Sequence, residues 1–495
     1  MSKPDRPNIL LILTDQHRLS AVGACGQTPC RTPNIDRLAQ EGCRFETAYT
    51  VCPVCSPARA TIMTGLYPHQ HGICSNVHNL GSSVHELPDS PDLLSRRLRD
   101  AGYRSGYSGK WHLGTDKRRA FAGPNRPSLP KDVGFEGQNF PGHGGGGFNY
   151  PEYQQHLAAG GFTHEVVRDS GRSYAACCNG ITFGTLSGPV ESTVPYFLAD
   201  HTIGLINTFR KSDSPFFIWH NFWGPHGPFY APREFYELYR DVHIPEWPNY
   251  RWEAAESNGP HQVKLHPQRH ELSWDDWAEA VRYYYAFTSL IDAQVGRIVD
   301  HLKATGLIEN TVIIFAADHG ETIGSHGGLT DKGWHHFEEI QRIPFIVRPQ
   351  GSSGRRGTVR QEWASVLDLY PTVLDLACPG VGLADSPGRS VMPLVRGENV
   401  PWRDSVFIEF NGVNSLATSA VTARKGGIKY GWNCSSWDEL YDLDRDPWEM
   451  TNVARDPAYA DRLREMQSLV ADWMQETGYP GRGMYVQSRM DGCHK

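Results

Sequence analysis

Two apolar runs that each end in an acidic residue dominate the hydrophobic pattern of the chain. The runs are Asn8–Asp15 (NILLILTD) and Thr311–His319 (TVIIFAADH), and polar side chains hardly interrupt them. Unbroken apolar runs of this length are typical of central parallel strands, which helices cover on both faces. The pattern therefore predicts two buried strands that end near Asp15 and Asp318.

Further apolar runs and amphipathic segments alternate along the chain. Strands are predicted at Arg104–Ser108, Pro215–Asn221 and Ile343–Arg348, and helices at Asn34–Gln40, Asp92–Ala101, Asp275–Ala304 and Glu362–Ala377. Such alternation predicts an open α/β sheet, whose ligands bind at the carboxyl ends of the strands. Four polar residues fall at or near predicted strand ends: Asp15, Lys110, His226 and Asp318.

Two other stretches differ from this alternation. Residues 120–200 are rich in Gly, Pro and Asn and show little periodicity, so we expect loops that lie over the site. After about residue 380, short strands such as Ser405–Phe410 precede a helix at Ala458–Glu476. The pattern predicts a large α/β domain at residues 1–380 and a small α+β subdomain at residues 381–495.

Composition and charge argue against several classes of protein. The formal net charge of −7 provides no basic surface for nucleic acid. The longest apolar run near the start, Ile9–Leu13, is far shorter than the roughly 20 residues of a membrane-spanning helix, and no leader pattern is seen. Eleven cysteines, an odd number, argue against a fully paired disulfide framework. We therefore expect a cytoplasmic protein, or a periplasmic or secreted one if a leader has been removed, without membrane or nucleic-acid partners.

The segment VCPVCSPARATIMTG, residues 51–65, predicts a short helix with reactive groups at its start. Ser56 is a good N-cap, and Pro57 suits the first helical position. Cys55 would then lie just outside the helix N-terminus, where backbone N–H groups and the helix dipole favour negative charge. Arg59 lies one turn further and can reach the same point.

Three interpretations of Cys55 compete. A cysteine taken at random is most often a small buried apolar residue. Cys52 and Cys55 also form a C-x-x-C pair, which is typical of redox and zinc sites, but the chain holds no second C-x-x-C. The third interpretation, a catalytic nucleophile, depends on the surrounding motifs.

Several motifs of the chain resemble those of the sulfatase family. CSPAR (Cys55–Arg59), followed by ATIMTG, is similar to the family signature C-x-P-x-R. Other similar segments are PNILLILTDQ, TPNIDRLAQEG, YPHQHG (Tyr67–Gly72), GYRSGYSGKWHLG (Gly102–Gly114) and LYDLDRDPWEMTNVA (Leu440–Ala454). The likeness extends from residue 7 to about residue 457. It implies an alkaline-phosphatase-like α/β fold, with a large, mixed, mostly parallel sheet flanked by helices and a small C-terminal α+β subdomain.

The resemblance implies an enzyme that hydrolyses sulfate monoesters, with an aryl or carbohydrate alcohol half, to an alcohol and inorganic sulfate. In the family, a formylglycine-generating enzyme oxidises the cysteine that corresponds to Cys55. The hydrated aldehyde has two hydroxyls: one attacks sulfur, and the other loses its proton so that sulfate is expelled. Trp223, Tyr230 and Trp334 lie near the motifs and could line the pocket for a small-molecule or saccharide substrate. The sequence is compatible with a homo-oligomer as well as with a monomer.

Asp15 and Asp318 suggest a metal ion. Two carboxylates at neighbouring strand ends repel each other unless a cation lies between them, although either alone could be a strand-ending cap. The resemblance completes the ligand set with Gln16, His319 and the modified Cys55. Mostly oxygen ligands favour one calcium ion. Gln16 stands where many sulfatases have a second aspartate, so manganese stays open as well.

Basic residues match the family positions that contact the sulfate or the nucleophile. Lys110 and His112 lie in GKWH, and the resemblance implies that His112 is the base that triggers sulfate release. His226, in FWGPHGPF, corresponds to a histidine that contacts sulfate and can protonate the leaving oxygen. Lys332 follows the implied metal ligands Asp318 and His319 in the sequence. Together with Arg59, it completes the implied catalytic set. For each there is a plainer alternative, since loop lysines are usually only solvated and the chain holds 22 histidines.

Three rival functions fit parts of the pattern. A phosphonate monoester or phosphodiester hydrolase of the same superfamily would use a similar metal set, yet those enzymes tend to lack the pair Lys110 and His112. A non-catalytic binding protein on this fold would be expected to have lost Cys55, Arg59 or the acidic metal residues. A thiol–disulfide oxidoreductase that uses Cys52 and Cys55 would be expected in a much smaller thioredoxin-like setting.

Overall fold

The computed structural model describes residues 6–79, 82–114, 129–139, 144–163, 165–167, 182–250, 272–332, 335–351, 356–380, 386–413 and 418–490. Its strands are β1 (Asn8–Asp15), β2 (Cys43–Phe45), β3 (Ala48–Tyr49), β4 (Arg104–Gly109), β5 (Glu136–Gly137), β6 (Val166–Val167), β7 (Phe183–Leu186), β8 (Phe216–Pro225), β9 (Phe229–Pro232), β10 (Thr311–Ala317), β11 (Phe345–Arg348), β12 (Thr358–Arg360), β13 (Ala364–Ser365), β14 (Ser405–Phe410), β15 (Ala420–Lys425), β16 (Ile428–Asn433) and β17 (Glu439–Asp442). Its α-helices are Pro33–Glu41, Cys55–Thr64, Pro68–His71, Leu94–Asp100, Pro151–Gly160, Val194–Phe209, Arg233–Glu237, Trp274–Ala304, Ser325–Gly328, Glu338–Gln341, Leu369–Ala377, Met392–Val395, Ala460–Thr477 and Arg482–Met490. Among the described helices, none has the length and apolar character needed to cross a bilayer.

An eight-stranded sheet forms the centre of the molecule, in the order β12-β2-β11-β10-β1-β8-β4-β5. The strands from β10 to β5 are parallel to their neighbours, whereas β11 is antiparallel to both β10 and β2. The predicted large, mixed and mostly parallel sheet is therefore confirmed. The five strands predicted from the sequence are all present, with small differences at their ends.

The side chains of β1 show why this sheet needs unbroken apolar runs. Ile12 packs in a core on one face, together with side chains of the helices Val194–Phe209 and Trp274–Ala304. Leu11 packs in a second core on the opposite face, with side chains of the helix Cys55–Thr64. Because helices cover both faces, polar side chains have no exposed face to occupy along this strand.

The register of the central strands places two acidic residues side by side. Thr14 of β1 pairs with Ala317 of β10 in the parallel ladder. Asp15 and Asp318 follow these two residues directly, and both are fully buried. The sheet therefore brings together two carboxylates that the chain separates widely, as the hydrophobic pattern predicts.

The described part of residues 120–200 is more regular than the sequence predicts. It contains the helix Pro151–Gly160, and β7 pairs in parallel with β9, which begins shortly after His226. The ring of Phe183 in β7 packs 4.9 Å from that of Tyr283 on the long central helix. Such apolar contacts with a distant helix order the segment without any local periodicity. Residues 120–128 and 168–181 lie outside the described residues, as does Trp334.

A second, four-stranded antiparallel sheet lies in the C-terminal part of the chain, in the order β14-β15-β16-β17. The helix Ala460–Thr477 packs against it, and Trp473 of the helix shares a core with Trp432 of β16. The same core includes Cys52 and Val54, which lead into the predicted nucleophile. The sheet thus supports one side of the site, and the division of the chain at residue 380 stays a prediction.

Replacing Gly109 by alanine tests the close contact between β4 and β8. Gly109 has a φ of +99°, and a Cβ there would lie 1.7 Å from the carbonyl oxygen of Asn221. We expect Gly109→Ala to lower the free energy of unfolding by about 4 kcal/mol, measured by chemical denaturation, since backbone strain and overpacking add. Gly204 is the matched control, because it lies in a helix with no atom within 4 Å of an added Cβ. Gly204→Ala should be neutral or stabilising by up to about 1 kcal/mol. Equal changes in the free energy of unfolding for the two variants would contradict the close contact between Gly109 and Asn221.

Candidate active site

The helix Cys55–Thr64 begins earlier than the sequence predicts. Val54 is the N-cap residue and has extended backbone angles, so the predicted Ser56 N-cap is wrong. The hydroxyl of Ser56 instead donates to the carbonyl of His112 at 2.6 Å, because that carbonyl lies within reach. Cys55 is consequently the first helical residue, in the turn whose N–H groups have no partner within the helix.

Four groups that can bind a metal ion meet at the carboxyl ends of β1 and β10. Asp15, Cys55, Asp318 and His319 are all buried, and each offers a ligand atom within 4.8 Å of the others. The Sγ of Cys55 lies 3.6 Å from Asp15 Oδ1 and 3.3 Å from His319 Nε2. Two carboxylates, an imidazole and the side chain of residue 55 form a donor set that suits one divalent cation. The residues present therefore fit the predicted metal ion.

Arg59 joins the two carboxylates of this cluster. Its guanidinium Nη2 lies 2.9 Å from Asp15 Oδ2 and 3.1 Å from Asp318 Oδ2, and all three side chains have 0% exposure. Burial and the neighbouring Asp15 raise the pKa of Asp318 to about 7. Lys110 and Arg59 hold the pKa of Asp15 well below its usual range, against the effect of its burial. Of the two carboxylates, Asp318 is thus the one whose negative charge is less well compensated, and a bound cation would supply further positive charge there.

Lys110 and Asn221 complete the surroundings of the guanidinium. The Nζ of Lys110 lies 2.6 Å from Asp15 Oδ2. The Nη1 of Arg59 donates to the backbone carbonyl of Lys110 and to Asn221 Oδ1, both at 2.9 Å. Sequence reasoning missed Asn221, although its place at the end of a predicted strand was a usable signal.

The amide of Gln16 is fixed from both sides. Its Nε2 donates to the carboxylate of Glu321, and its Oε1 accepts from Lys332 Nζ at 2.6 Å. The backbone N–H of Gln16 donates to Asp318 Oδ1 at 3.1 Å. These contacts leave one orientation for the amide. Glu321 was also missed, and its only sequence signal is its place shortly after Asp318 in DHGET.

Two predicted histidines lie near this cluster with different partners. The Nε2 of His112 lies 2.8 Å from Nδ1 of His78, and the two ring planes are nearly parallel. The backbone N–H of His226 donates to the carbonyl of Asp15 at 3.0 Å, and its Nδ1 lies 2.7 Å from the carbonyl of Gly227. Burial and the nearby charge of Lys332 lower the pKa of His226 to about 3. The roles that the resemblance implies for both rings stay predictions.

A second group of potential ligands lies elsewhere, at His326, Glu339 and Glu449. Its carboxylates already have cationic partners. Glu339 lies 3.7 Å from the guanidinium of Arg18, and Glu449 pairs with Lys429. We interpret this group as a buried ion-pair network, in which Arg18 and Lys429 lie next to the carboxylates, while burial raises the pKa of Glu449 to about 8.

A small, mostly apolar cavity adjoins His226. Trp223, Tyr230, Phe148 and Phe287 contribute to its lining. Two of the three aromatic residues that were predicted to line a substrate pocket are therefore next to the site.

Known proteins share this architecture. The sulfatase family model matches residues 7–380, and the model of the C-terminal part of N-sulphoglucosamine sulphohydrolase matches residues 324–476. Sulfatase YidJ of Escherichia coli strain K12 is 30% identical, over 96% of this chain and 89% of its own. The arylsulfatase of Clostridium perfringens is 27% identical, over 96% of each chain. The solved structure of a phosphonate monoester hydrolase of Agrobacterium radiobacter is 26% identical with a TM-score of 0.77, covering 95% of this chain and 96% of its own. The chain therefore belongs to the sulfatase family and is a sulfuric ester hydrolase.

Proposed function

We propose that this protein hydrolyses sulfate monoesters through a formylglycine at position 55 and one divalent cation. The observation that carries the proposal is the contact of Cys55 Sγ with Asp15 Oδ1 and His319 Nε2 in the first turn of a helix. A cation held by these ligands and the N–H groups of the helix would thus both favour an anion at residue 55. Because Cys55 is only 1% exposed, its oxidation by a formylglycine-generating enzyme has to precede closure of the fold.

Five residues would hold the cation: Asp15, Gln16, Asp318, His319 and the modified residue 55. The ion would supply positive charge that favours the deprotonated nucleophile. Calcium is the preferred ion, since most of these donors are oxygens, and the imidazole makes manganese the alternative.

Three cationic side chains would offset the charge of the ester. The ammonium groups of Lys110 and Lys332 each lie 2.6 Å from a side chain of the metal site, Asp15 and Gln16 respectively. Arg59 adds a third fixed positive charge. In a buried site, one such contact is worth about 3 kcal/mol in the transition state.

His112 and His226 are proposed as the base and the acid. His112 would take up the proton that leaves the site when sulfate is released. His226 is neutral in the free protein at neutral pH, since its pKa is about 3. The negative charge of a bound ester would favour the protonated form of His226. His226 would therefore act as the acid only after the substrate has bound.

The alcohol half of the substrate is proposed to bind beside His226, against the aromatic side chains that line the small apolar cavity there. Trp223 and Tyr230 offer aromatic surface there. Such surface suits an aryl ring or the apolar face of a sugar. Aryl and carbohydrate sulfates are therefore the proposed substrates.

A phosphonate monoester hydrolase is the second candidate. The likeness to the Agrobacterium enzyme favours it, and a phosphonate monoester also carries a single negative charge. Lys110 favours the sulfatase, because its ammonium group contacts Asp15 within the site and the resemblance assigns this lysine to sulfatases.

The nucleophile is tested with two cysteine variants. Cys55→Ala should lower kcat at least about a thousandfold, because the reacting side chain is removed. Cys52→Ala is the matched control, since Cys52 packs in an apolar core, and it should keep most of the activity. An intact-mass spectrum of active wild-type protein should show the aldehyde in place of the thiol at position 55. An unaltered thiol in fully active protein would refute the proposal.

The cation is tested by thermal and chemical denaturation of metal-free protein. Calcium or manganese at a hundred times its Kd should raise the free energy of unfolding by about 2.7 kcal/mol. Asp318→Asn should remove this stabilisation, whereas Glu339→Gln, in the second acidic cluster, should keep it. If Glu339→Gln abolished the stabilisation by metal and Asp318→Asn kept it, the ion would bind at the second acidic cluster, and the proposed site would be refuted.

The substrate class is tested with 4-nitrophenyl sulfate and an aryl phosphonate monoester. The wild-type protein should prefer the sulfate in kcat/KM. Lys110→Ala should lower kcat/KM for the sulfate about 100-fold, since one buried cation is lost from the transition state. The exposed Lys131→Ala should have no effect. A wild-type preference for the phosphonate would favour the second candidate.

A further inference from the structure

Two histidines from different parts of the chain form a hydrogen-bonded pair at the edge of the site. His112 follows β4, and His78 follows the short helix Pro68–His71. Nε2 of His112 lies 2.8 Å from Nδ1 of His78. The ring planes are nearly parallel, with centroids 4.9 Å apart and an interplanar angle of 15°, as expected for a hydrogen bond that lies close to both ring planes. A nitrogen pair at this distance shares one proton, so one ring is the donor and the other the acceptor.

The two rings differ in their access to water. His112 has 0% exposure, whereas His78 is partly exposed. A proton that reaches His112 therefore has a second imidazole between itself and the solvent. Imidazole is the side chain best suited to take up and release protons near neutral pH.

The proposed reaction has to dispose of a proton. Hydrolysis of a sulfate monoester breaks the bond between sulfur and the alcohol oxygen, and sulfur gains an oxygen that comes from water. The products at neutral pH are the alcohol, the sulfate dianion and one proton, because hydrogen sulfate is a strong acid. That proton is set free in a buried site, where an uncompensated charge is costly.

We propose that His78 carries the proton from His112 to the solvent, which makes it a positioning and relay residue of this enzyme. The inference rests on the proposed function of His112 as the base. His112 takes up the proton on one nitrogen and passes one from Nε2 to Nδ1 of His78, and His78 releases a proton to water. One proton enters the pair and one leaves it in each turnover.

The other basic groups of the site are poor carriers. Lys110 pairs with the carboxylate of Asp15, and Lys332 pairs with Asp331 and donates to Gln16, so both side chains are already engaged in holding metal ligands in place. The pKa of His226 is lowered to about 3 by burial and by Lys332, so it gives up protons too readily to hold one in the free enzyme. The pair of His78 and His112 is then the path that the described residues offer.

The backbone of His112 is held by a contact that does not involve the ring of His78. His112 has a φ of 56°, and its carbonyl accepts from Ser56 Oγ at 2.6 Å. A change at position 78 should therefore leave the backbone of His112 in place, so that an effect on the reaction reports on the ring contact.

The test compares His78→Ala and His78→Gln with wild-type enzyme on 4-nitrophenyl sulfate. Both variants should lower kcat about 10- to 100-fold and leave KM within about threefold, since proton transfer typically contributes that much or more. Added imidazole should restore most of the lost kcat in His78→Ala. His85→Gln is the matched control, a partly exposed histidine whose Nδ1 lies 2.7 Å from the carbonyl of Val77. It should keep wild-type kcat and show no response to imidazole.

A second readout does not need turnover. In the unmodified Cys55 form, nitrogen NMR of the imidazoles should show coupled titration of His78 and His112, and His78→Gln should alter the His112 signals. Unchanged kcat in His78→Ala, or a loss that imidazole does not restore, would overturn the relay while wild-type sulfate hydrolysis stands. Absence of sulfate hydrolysis by the formylglycine form of the wild-type protein would overturn the proposed function, and the relay with it.

Discussion

The site depends on holding two buried carboxylates side by side. Asp15 and Asp318 are both fully buried, and Arg59 contacts each of them within about 3 Å of its guanidinium. Like charges at this distance cannot share a dry interior without a cation, so the position of Arg59 is fixed by electrostatics as much as by packing. Because Arg59 lies in the same helix as Cys55, the same contacts also fix the position of Cys55.

The sequence predicts the parts of this arrangement that follow from local patterns. Apolar runs predict the central strands, and the strand ends predict that Asp15 and Asp318 meet, because parallel strands end at one edge. The family likeness of CSPAR and GKWH names further candidates. The grouping of Asp15, Cys55, Asp318 and His319 agrees with these expectations, while the roles assigned to the basic residues stay predictions.

Other features depend on contacts that no local pattern encodes. Glu321, Asn221 and His78 each act on a predicted residue through a side-chain hydrogen bond, and residues of these types occur at many other positions of the chain. The start of the helix at Cys55 differs from the prediction because the hydroxyl of Ser56 finds a carbonyl from a distant segment. Tertiary partners decide such cases, and a propensity for capping cannot anticipate them.

The C-terminal sheet has a consequence for biosynthesis. His69 lies shortly after the helix Cys55–Thr64, and it bonds through Nδ1 to Glu409 and through Nε2 to the carbonyl of Thr477. Cys52, just before that helix, packs in the core of the C-terminal sheet. These partners are translated long after residue 55, so the cysteine leaves the ribosome well before the wall that buries it exists. At typical elongation rates this delay is on the order of tens of seconds. The order of synthesis itself thus leaves an interval before burial in which the proposed oxidation of the thiol would take place.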